Sequence, residues 1–221
     1  MKTINNDQNL IIAVSIVEDG DMADVKNRPP FLLANNISPE ETSRVRVDYT
    51  DNNFCGYLDV TDKYRGKGIL DTDIPPADGL VVRDPDHALF LTLADCVGAV
   101  IFDVDKKILM LSHLGRHSIE QNGGYKSVKF LVDNYDCDPG KLEIWLTPAP
   151  GRDVYPLFLF NNRSIKEVLF EQFESAGIDI KNTHDDPTDT TKNPNYYSHS
   201  EFLKGNREQD GRYAIVAMIK D

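Results

Sequence analysis

Residues 88–115 constrain the fold most, because they contain three apolar segments separated by short turns. The segments span 89–93, 97–102 and 108–112. Their Leu, Ile, Val and Phe residues largely lack polar alternation, which is typical of strands buried on both faces. The residues at 103–107 include Asp and Lys and have turn chemistry, so the last two segments are predicted to form a hairpin.

The rest of the chain adds strands and two amphipathic helices. Strands are predicted at 10–17, 79–82, 142–146 and 211–219. One helix is predicted after Gly123 and Gly124, where apolar residues recur at spacings of three and four. A second should begin at the capping-box pattern of residues 164–167 and end at Gly177. Strands with interspersed helices predict a mixed α+β fold, with residues 1–221 forming a single domain.

Charge and cysteine content exclude several classes of partner and location. The formal net charge of −12 would repel polyanions, so nucleic acids and anionic membranes are not expected as general partners. The N-terminus lacks the layout of a signal peptide, and the apolar runs are too short to span a bilayer. The three cysteines have no CxxC spacing. A disulfide framework is not expected, and a cytoplasmic location is predicted.

Cys96 and His113 are the first candidates for chemistry. Cys96 lies between two predicted strands, and His113 ends the next one. If these strands form the hairpin, both side chains finish at the same end. A thiol beside an imidazole can act as a nucleophile, or the two can share a zinc ion. The alternative is structural, since a cysteine at the end of an apolar strand is often a small buried side chain.

The other histidines carry weaker signals. His117 lies in the turn after His113, and His199 lies in a polar and aromatic segment. Either could line the same pocket, although each alone is more often structural. His87 and His184 lie in polar segments and are predicted to be surface residues.

Several ordered segments together resemble the YfiH or laccase-domain family, whose members are also described as peptidoglycan editing factors or polyphenol oxidases. The segments are Pro76-Ala77-Asp78-Gly79-Leu80-Val81, Ala94-Asp95-Cys96, Ser112-His113-Leu114-Gly115, Thr147-Pro148-Ala149-Pro150-Gly151 with Tyr155, Tyr197-Ser198 and Gly211-Arg212. The resemblance is strongest over residues 60–219. It implies a four-layer α+β fold and phosphorolysis of adenosine, inosine or methylthioadenosine, with adenosine deamination as a further activity.

The resemblance also implies a zinc ion held by a His–Cys–His set, in which Cys96 and His113 match the second and third ligands. Arg65 occupies the position of the first histidine, and a guanidinium cannot bind zinc. Catalytic zinc sites usually have three protein ligands. His117 or His199 could supply the missing one. Alternatively, the protein could work without metal, with Arg65 and Arg116 forming an anion-binding pocket around Cys96 and His113.

Three functions remain open at this point. The first is a phosphorylase that uses Cys96, His113, Arg116 and His117 in catalysis, with Arg65, Arg116 and His199 binding substrate and phosphate. The second is a hydrolase or amidase linked to peptidoglycan editing, with Cys96 as nucleophile and His113 as base. The third is a catalytically silent relative that binds a nucleoside. Copper-dependent phenol oxidation has little support, because the chain lacks sets of His-x-His ligands.

Overall fold

The computed structural model describes residues 2–6, 9–50, 52–70 and 74–220. The strands in this part of the chain are β1 (Lys2–Asn6), β2 (Leu10–Val14), β3 (Thr42–Arg44), β4 (Tyr57–Asp59), β5 (Gly79–Val82), β6 (Ala88–Leu93), β7 (Val97–Asp103), β8 (Ile108–Leu114), β9 (Leu142–Leu146), β10 (Thr183–Asp185) and β11 (Tyr213–Ile219). The α-helices are α1 (Arg28–Ala34), α2 (Arg116–Glu120), α3 (Gly123–Tyr135), α4 (Ile165–Ser175) and α5 (His199–Leu203). None of the described helices is long and apolar enough to cross a membrane.

The strands form two mixed sheets. One has the order β1-β2-β11-β6-β3, and the other has the order β10-β9-β7-β8-β5-β4. β7 and β8 form the predicted hairpin, in which Gly98 pairs with His113 and Asp103 pairs with Ile108. Every residue of these two strands is buried, as their uninterrupted apolar sequences predicted.

The two sheets and their helices make four layers. Leu91 and Ile215 of one sheet belong to the same apolar cluster as Val100 of the other, so the sheets pack face to face. The outer face of the six-stranded sheet is covered by α2, α3 and α4, whose apolar side chains share a second cluster with β7, β8 and β9. A third cluster joins Phe31 of α1 to Phe90 on the outer face of the five-stranded sheet. The predicted four-layer α+β fold is confirmed.

Differences from the predicted elements have local causes. The first predicted strand ends at Val14, because the chain turns into a short 3-10 helix at Val17–Asp19. β1 was not predicted, since its sequence KTINN is polar and forms the edge of a sheet. The capping box at α4 is confirmed: Ser164 Oγ accepts from the Glu167 amide, and Glu167 Oε2 accepts from the Ser164 amide at 2.7 Å.

His87 is buried, so its predicted surface position is wrong. The residue directly precedes β6, and the pairing of β6 with β3 brings Ser43 close to it. His87 Nε2 lies 2.8 Å from Ser43 Oγ, which is also 2.6 Å from the Tyr64 carbonyl oxygen. His87 Nδ1 has no hydrogen-bond partner among the described residues. His184, by contrast, is exposed, and its Nε2 contacts Glu143.

The burial of His87 should make the protein less stable in mild acid. Burial, with a contribution from Arg65, lowers the pKa of His87 from 6.5 to about 4. Between these values the unfolded chain binds more protons at this residue than the folded chain, so the free energy of unfolding falls as pH decreases from 6.5 to 4. The full loss is about 3 kcal/mol. Denaturant titrations of wild type and His87→Gln at several pH values measure it. Parallel pH profiles for the two proteins would contradict the prediction.

Candidate active site

A cavity of about 390 Å³ opens where β6 turns into β7. It is lined by Tyr49, Phe54, Thr92, Leu93, Ala94, Asp95, Cys96, His113, Gly115, Arg116, His117, Ser118, Tyr155, His199 and Arg212. The structure therefore brings together Cys96, His113, Arg116, His117 and His199, the predicted site residues other than Arg65. They come from the β6–β7 turn, the end of β8, the start of α2 and the start of α5.

Cys96 and His113 converge on Gly115. Cys96 directly precedes β7, and His113 pairs with Gly98 near the start of that strand. A methyl group added at Gly115 would lie 2.9 Å from Cys96 Sγ, 3.0 Å from His113 Cε1 and 3.5 Å from His113 Nε2. The thiol and the imidazole therefore face the same small volume, which only a glycine at this position leaves open.

Both groups are neutral at physiological pH. Burial raises the pKa of the half-buried Cys96 thiol to about 12, and Asp95 adds to this effect while Arg212 and Arg116 oppose it. Burial lowers the pKa of His113 to about 4. The pair is thus a thiol beside a neutral imidazole, not a thiolate beside an imidazolium. The His113 amide donates to the Asp78 carbonyl oxygen at 2.7 Å, which fixes the end of the strand.

Arg116 is held at the cavity by aromatic packing. Its guanidinium carbon lies 4.6 Å from the centroid of the Tyr155 ring and 5.3 Å from that of the Phe158 ring. Its Nη1 donates to the Pro156 carbonyl oxygen at 3.2 Å. A guanidinium carries five N–H donors, so this arrangement leaves donors for a ligand. Stacking on two rings orients the cation without neutralising it.

Arg212 is a second cation in the cavity, which the sequence interpretation did not assign. It directly precedes β11, where Tyr213 pairs with Leu93 of β6, and this pairing places it near Cys96. Its Nη1 donates to Asp210 Oδ1 at 2.7 Å. The same carboxylate oxygen lies 2.9 Å from His199 Nδ1. The Gly211-Arg212 segment belonged to the family resemblance, and that was the only sequence signal for this residue.

Aromatic side chains form the other wall. Phe54 stacks on the imidazole of His117, with ring centroids 4.8 Å apart and an interplanar angle of 26°. Tyr49 meets His113 edge-on at 6.4 Å. None of these aromatic residues was singled out from the sequence as a wall of the site.

Arg65 does not line this cavity in the described part of the chain. Its Nε donates to Asp62 Oδ1 at 2.8 Å, and its Nη1 forms an ion pair with Glu41. Both partners come from neighbouring segments on the outside of the molecule, and they satisfy the guanidinium there. The expectation that Arg65 lies near Cys96 and His113 is therefore corrected, and Arg212 is the arginine that lines the cavity together with Arg116.

The side chains present do not fit the implied zinc ion. Cys96 and His113 are two donors, and three are usual in a catalytic zinc site. His117 stacks on Phe54 and has its Nδ1 3.9 Å from Glu120, while His199 Nδ1 contacts Asp210. Within residues 2–6, 9–50, 52–70 and 74–220, no group of three or more His, Cys, Asp or Glu side chains could hold a metal ion.

Comparisons with known proteins agree with this fold. A curated relative, purine nucleoside phosphorylase YlmD of Bacillus subtilis (strain 168), is 27% identical over 135 residues, which are 60% of this chain and 47% of the relative. The chain thus matches about half the length of that relative. The crystal structure of Bacillus licheniformis hypothetical protein YfiH superposes with a TM-score of 0.82 at 16% identity, covering 96% of this chain and 93% of that one.

YlmD from Geobacillus stearothermophilus superposes with a TM-score of 0.79 at 18% identity, covering 96% of this chain and 92% of that one. At such identities these structures establish the shared fold alone. A family model described as multi-copper polyphenol oxidoreductase laccase matches residues 25–158, more than half of the sequence. The chain therefore belongs to this YfiH-like, multi-copper polyphenol oxidoreductase laccase family.

Proposed function

We propose that this protein is a purine nucleoside phosphorylase-like enzyme that cleaves adenosine, inosine or methylthioadenosine with inorganic phosphate. The observation that carries the proposal is the convergence of Arg116 and Arg212 on one cavity with a neutral His113. The protein as a whole has a net charge of −12, so it repels anions except where cations are gathered locally.

Phosphate suits the two arginines. Arg116 has no carboxylate partner in the part of the chain that the structure describes, and its fixed orientation favours a bidentate contact with phosphate oxygens. The side-chain hydrogen bonds of Arg212 to the described residues all come from Nη1 and leave its other guanidinium donors for the same anion. Asp210 offsets part of the charge of Arg212, so Arg116 is the stronger attraction for a dianion.

A nucleoside suits the remaining space. The volume of about 390 Å³ lies within the range of about 300–1,000 Å³ that is common for small-molecule sites. Phe54, Tyr49 and Tyr155 offer aromatic surfaces against which a purine can stack. Neutral His113 lines the same cavity and meets Tyr49 edge-on, and we place the glycosidic bond beside it.

The reaction then needs one proton transfer. A phosphate oxygen bonds to C1′ while the bond from C1′ to the purine nitrogen breaks and its electron pair goes to the purine. The leaving purine takes the proton of monohydrogen phosphate, so charge and atoms balance. The negative charge of the bound phosphate favours the protonated imidazole, so His113 can accept that proton from the phosphate and return it to the purine, which is the role we assign to it. Cys96 shapes the space beside His113 as a neutral thiol.

The hydrolase alternative has weaker support. A cysteine nucleophile must be a thiolate, and the histidine that takes its proton becomes a positively charged imidazolium beside it. Here burial favours the neutral form of both Cys96 and His113. Attack by Cys96 on an amide would therefore require both pKa values to move by several units when substrate binds.

A product assay tests the proposal. Purified protein is incubated with each of the three nucleosides, with and without phosphate, and with and without a metal chelator. We expect free purine and pentose 1-phosphate only when phosphate is present, at a rate that the chelator leaves unchanged, because the described donors cannot complete a zinc site.

Other products would overturn the proposal in identifiable ways. Purine release without phosphate would indicate a hydrolase. Inosine formed from adenosine with no purine release would indicate a deaminase alone. Nucleoside binding measured by calorimetry, with no product under any condition, would indicate the silent relative.

A further inference from the structure

Asp95 is a buried carboxylate at the turn between β6 and β7, directly before Cys96. Only 2% of its surface is exposed. Its backbone has φ of +75°, in the left-handed region that few residues other than glycine, asparagine and aspartate adopt. A buried carboxylate is costly unless hydrogen bonds satisfy it, so the groups that bind Asp95 are informative.

Both carboxylate oxygens of Asp95 bind one distant segment. Ser198 Oγ donates to Oδ1 at 2.7 Å, and the Ser200 amide donates to Oδ2 at 2.6 Å. Ser198 caps the N-terminus of α5, with its Oγ accepting from the Glu201 amide. The carboxylate therefore fixes the first turn of α5 against the turn that carries Cys96.

That first turn of α5 carries a wall of the cavity. His199 is its first residue and lies between the two residues that Asp95 holds. His199 Nδ1 contacts Asp210 Oδ1, which also accepts from Arg212 Nη1. A chain of contacts thus runs from Asp95 through the start of α5 to His199, and from there through Asp210 to Arg212.

We propose that Asp95 is a positioning residue, which ties the segment bearing His199 to the turn bearing Cys96 and so sets the distance between the two walls of the cavity. The proposal builds on the proposed function only in treating this cavity as the reaction site. Asp95 touches no reacting atom and acts through Ser198, Ser200 and the start of α5.

Asparagine is the informative replacement. Asp95→Asn keeps the size of the side chain, tolerates positive φ and retains an oxygen that can accept from Ser198. The side-chain NH2 group that replaces the second oxygen is a donor, so it cannot accept a hydrogen bond from the backbone N–H of Ser200. Ser198→Ala removes the other contact and leaves the negative charge in place. We call the two contacts of Asp95 with Ser198 and Ser200 the tether. Ser198→Ala weakens the tether without changing the charge, whereas Asp95→Asn weakens the tether and also removes the charge.

Two readouts require no turnover. The first is the NMR spectrum of the five histidine rings, assigned by single substitutions. The second is alkylation of Cys96 by iodoacetamide across pH, followed at the level of individual peptides so that Cys55 and Cys137 are separated. Thermal unfolding checks that each variant is folded.

We expect the His199 ring signals to move in both variants and those of distant His184 to stay unchanged. Removing the negative charge beside the sulfur favours the thiolate, so Asp95→Asn should accelerate Cys96 alkylation by about tenfold, the effect of one pH unit. Ser198→Ala should leave the alkylation rate within about twofold of wild type, since Asp95 keeps its charge. In the double variant, which loses both contacts, the His199 shift should be at least as large as that of the greater single variant.

Asp103→Asn is the matched control, because Asp103 is a buried aspartate at the opposite end of β7 that accepts from the amides of Asp105 and Lys106. It should leave both readouts unchanged. Wild-type His199 signals in folded Asp95→Asn and Ser198→Ala would overturn the proposal. Equal changes in Asp103→Asn would also overturn it, since they would reflect general loosening. If the wild-type protein showed no phosphorolysis but the His199 signals still moved in the two variants, the proposed function would be rejected and the positioning role of Asp95 would stand.

Discussion

Replacing His113 by glutamine is expected to lower kcat for phosphorolysis by about 100-fold to 10,000-fold, the usual contribution of a positioned acid–base group. Glutamine fits a similar space and keeps polar atoms, but it cannot accept a proton at neutral pH. His113 is only 6% exposed and pairs with Gly98 in the hairpin, so the variant must be checked by thermal unfolding. Steady-state kinetics with inosine and phosphate give the result.

His184→Gln is the matched control, because this histidine stacks on Trp145 and contacts Glu143 outside the cavity. Its kcat should stay within about twofold of wild type. A folded His113→Gln variant with more than one-tenth of wild-type kcat would reject proton transfer by His113.

Replacing Arg212 by alanine is expected to lower kcat/KM for phosphate by about 100-fold to 1,000-fold, as loss of a preorganised charged donor does in other active sites. The guanidinium lines the cavity, and Asp210 holds it in place through Nη1. Truncation removes both the donors and the positive charge. Initial rates at varied phosphate concentration and fixed nucleoside measure the change.

Arg65→Ala tests the position that the sequence favoured. Arg65 is engaged by Asp62 and Glu41 and is not among the described residues that line the cavity. Its loss should change kcat/KM for phosphate by less than about twofold. If Arg65→Ala were as damaging as Arg212→Ala, the assignment of the phosphate site to Arg116 and Arg212 would be wrong.

The β7–β8 hairpin and the pair at its end could be predicted because they depend on neighbouring residues. Apolar runs with a charged turn between them specify the hairpin, and its antiparallel register brings Cys96 and His113 to one end. The capping box of α4 is equally local. The edge strand β1 was missed, since its polar residues carry no periodic apolar signal.

The second arginine could not be predicted in this way. Arg65 was favoured by its place along the sequence, but carboxylates of its own neighbourhood bind it. Arg212 reaches the cavity because Tyr213 pairs with Leu93, a contact between residues far apart in the chain. The buried position of His87 has the same origin, because β3 covers it through long-range pairing with β6.

The sequence by itself determined the mixed α+β class, the central hairpin and the convergence of a thiol and an imidazole, because hydrophobic periodicity and turn chemistry act over a few residues. The four layers were implied by the family resemblance. The tertiary structure alone decided which arginines line the cavity with Cys96 and His113 and that His87 is buried. It also decided that Asp95 forms hydrogen bonds with the start of α5. The spacing of polar residues along the sequence does not indicate which distant groups they will contact. Their neighbours are set by the pairing of distant strands, which buries the apolar faces and leaves each polar group to be satisfied wherever the chain has brought it.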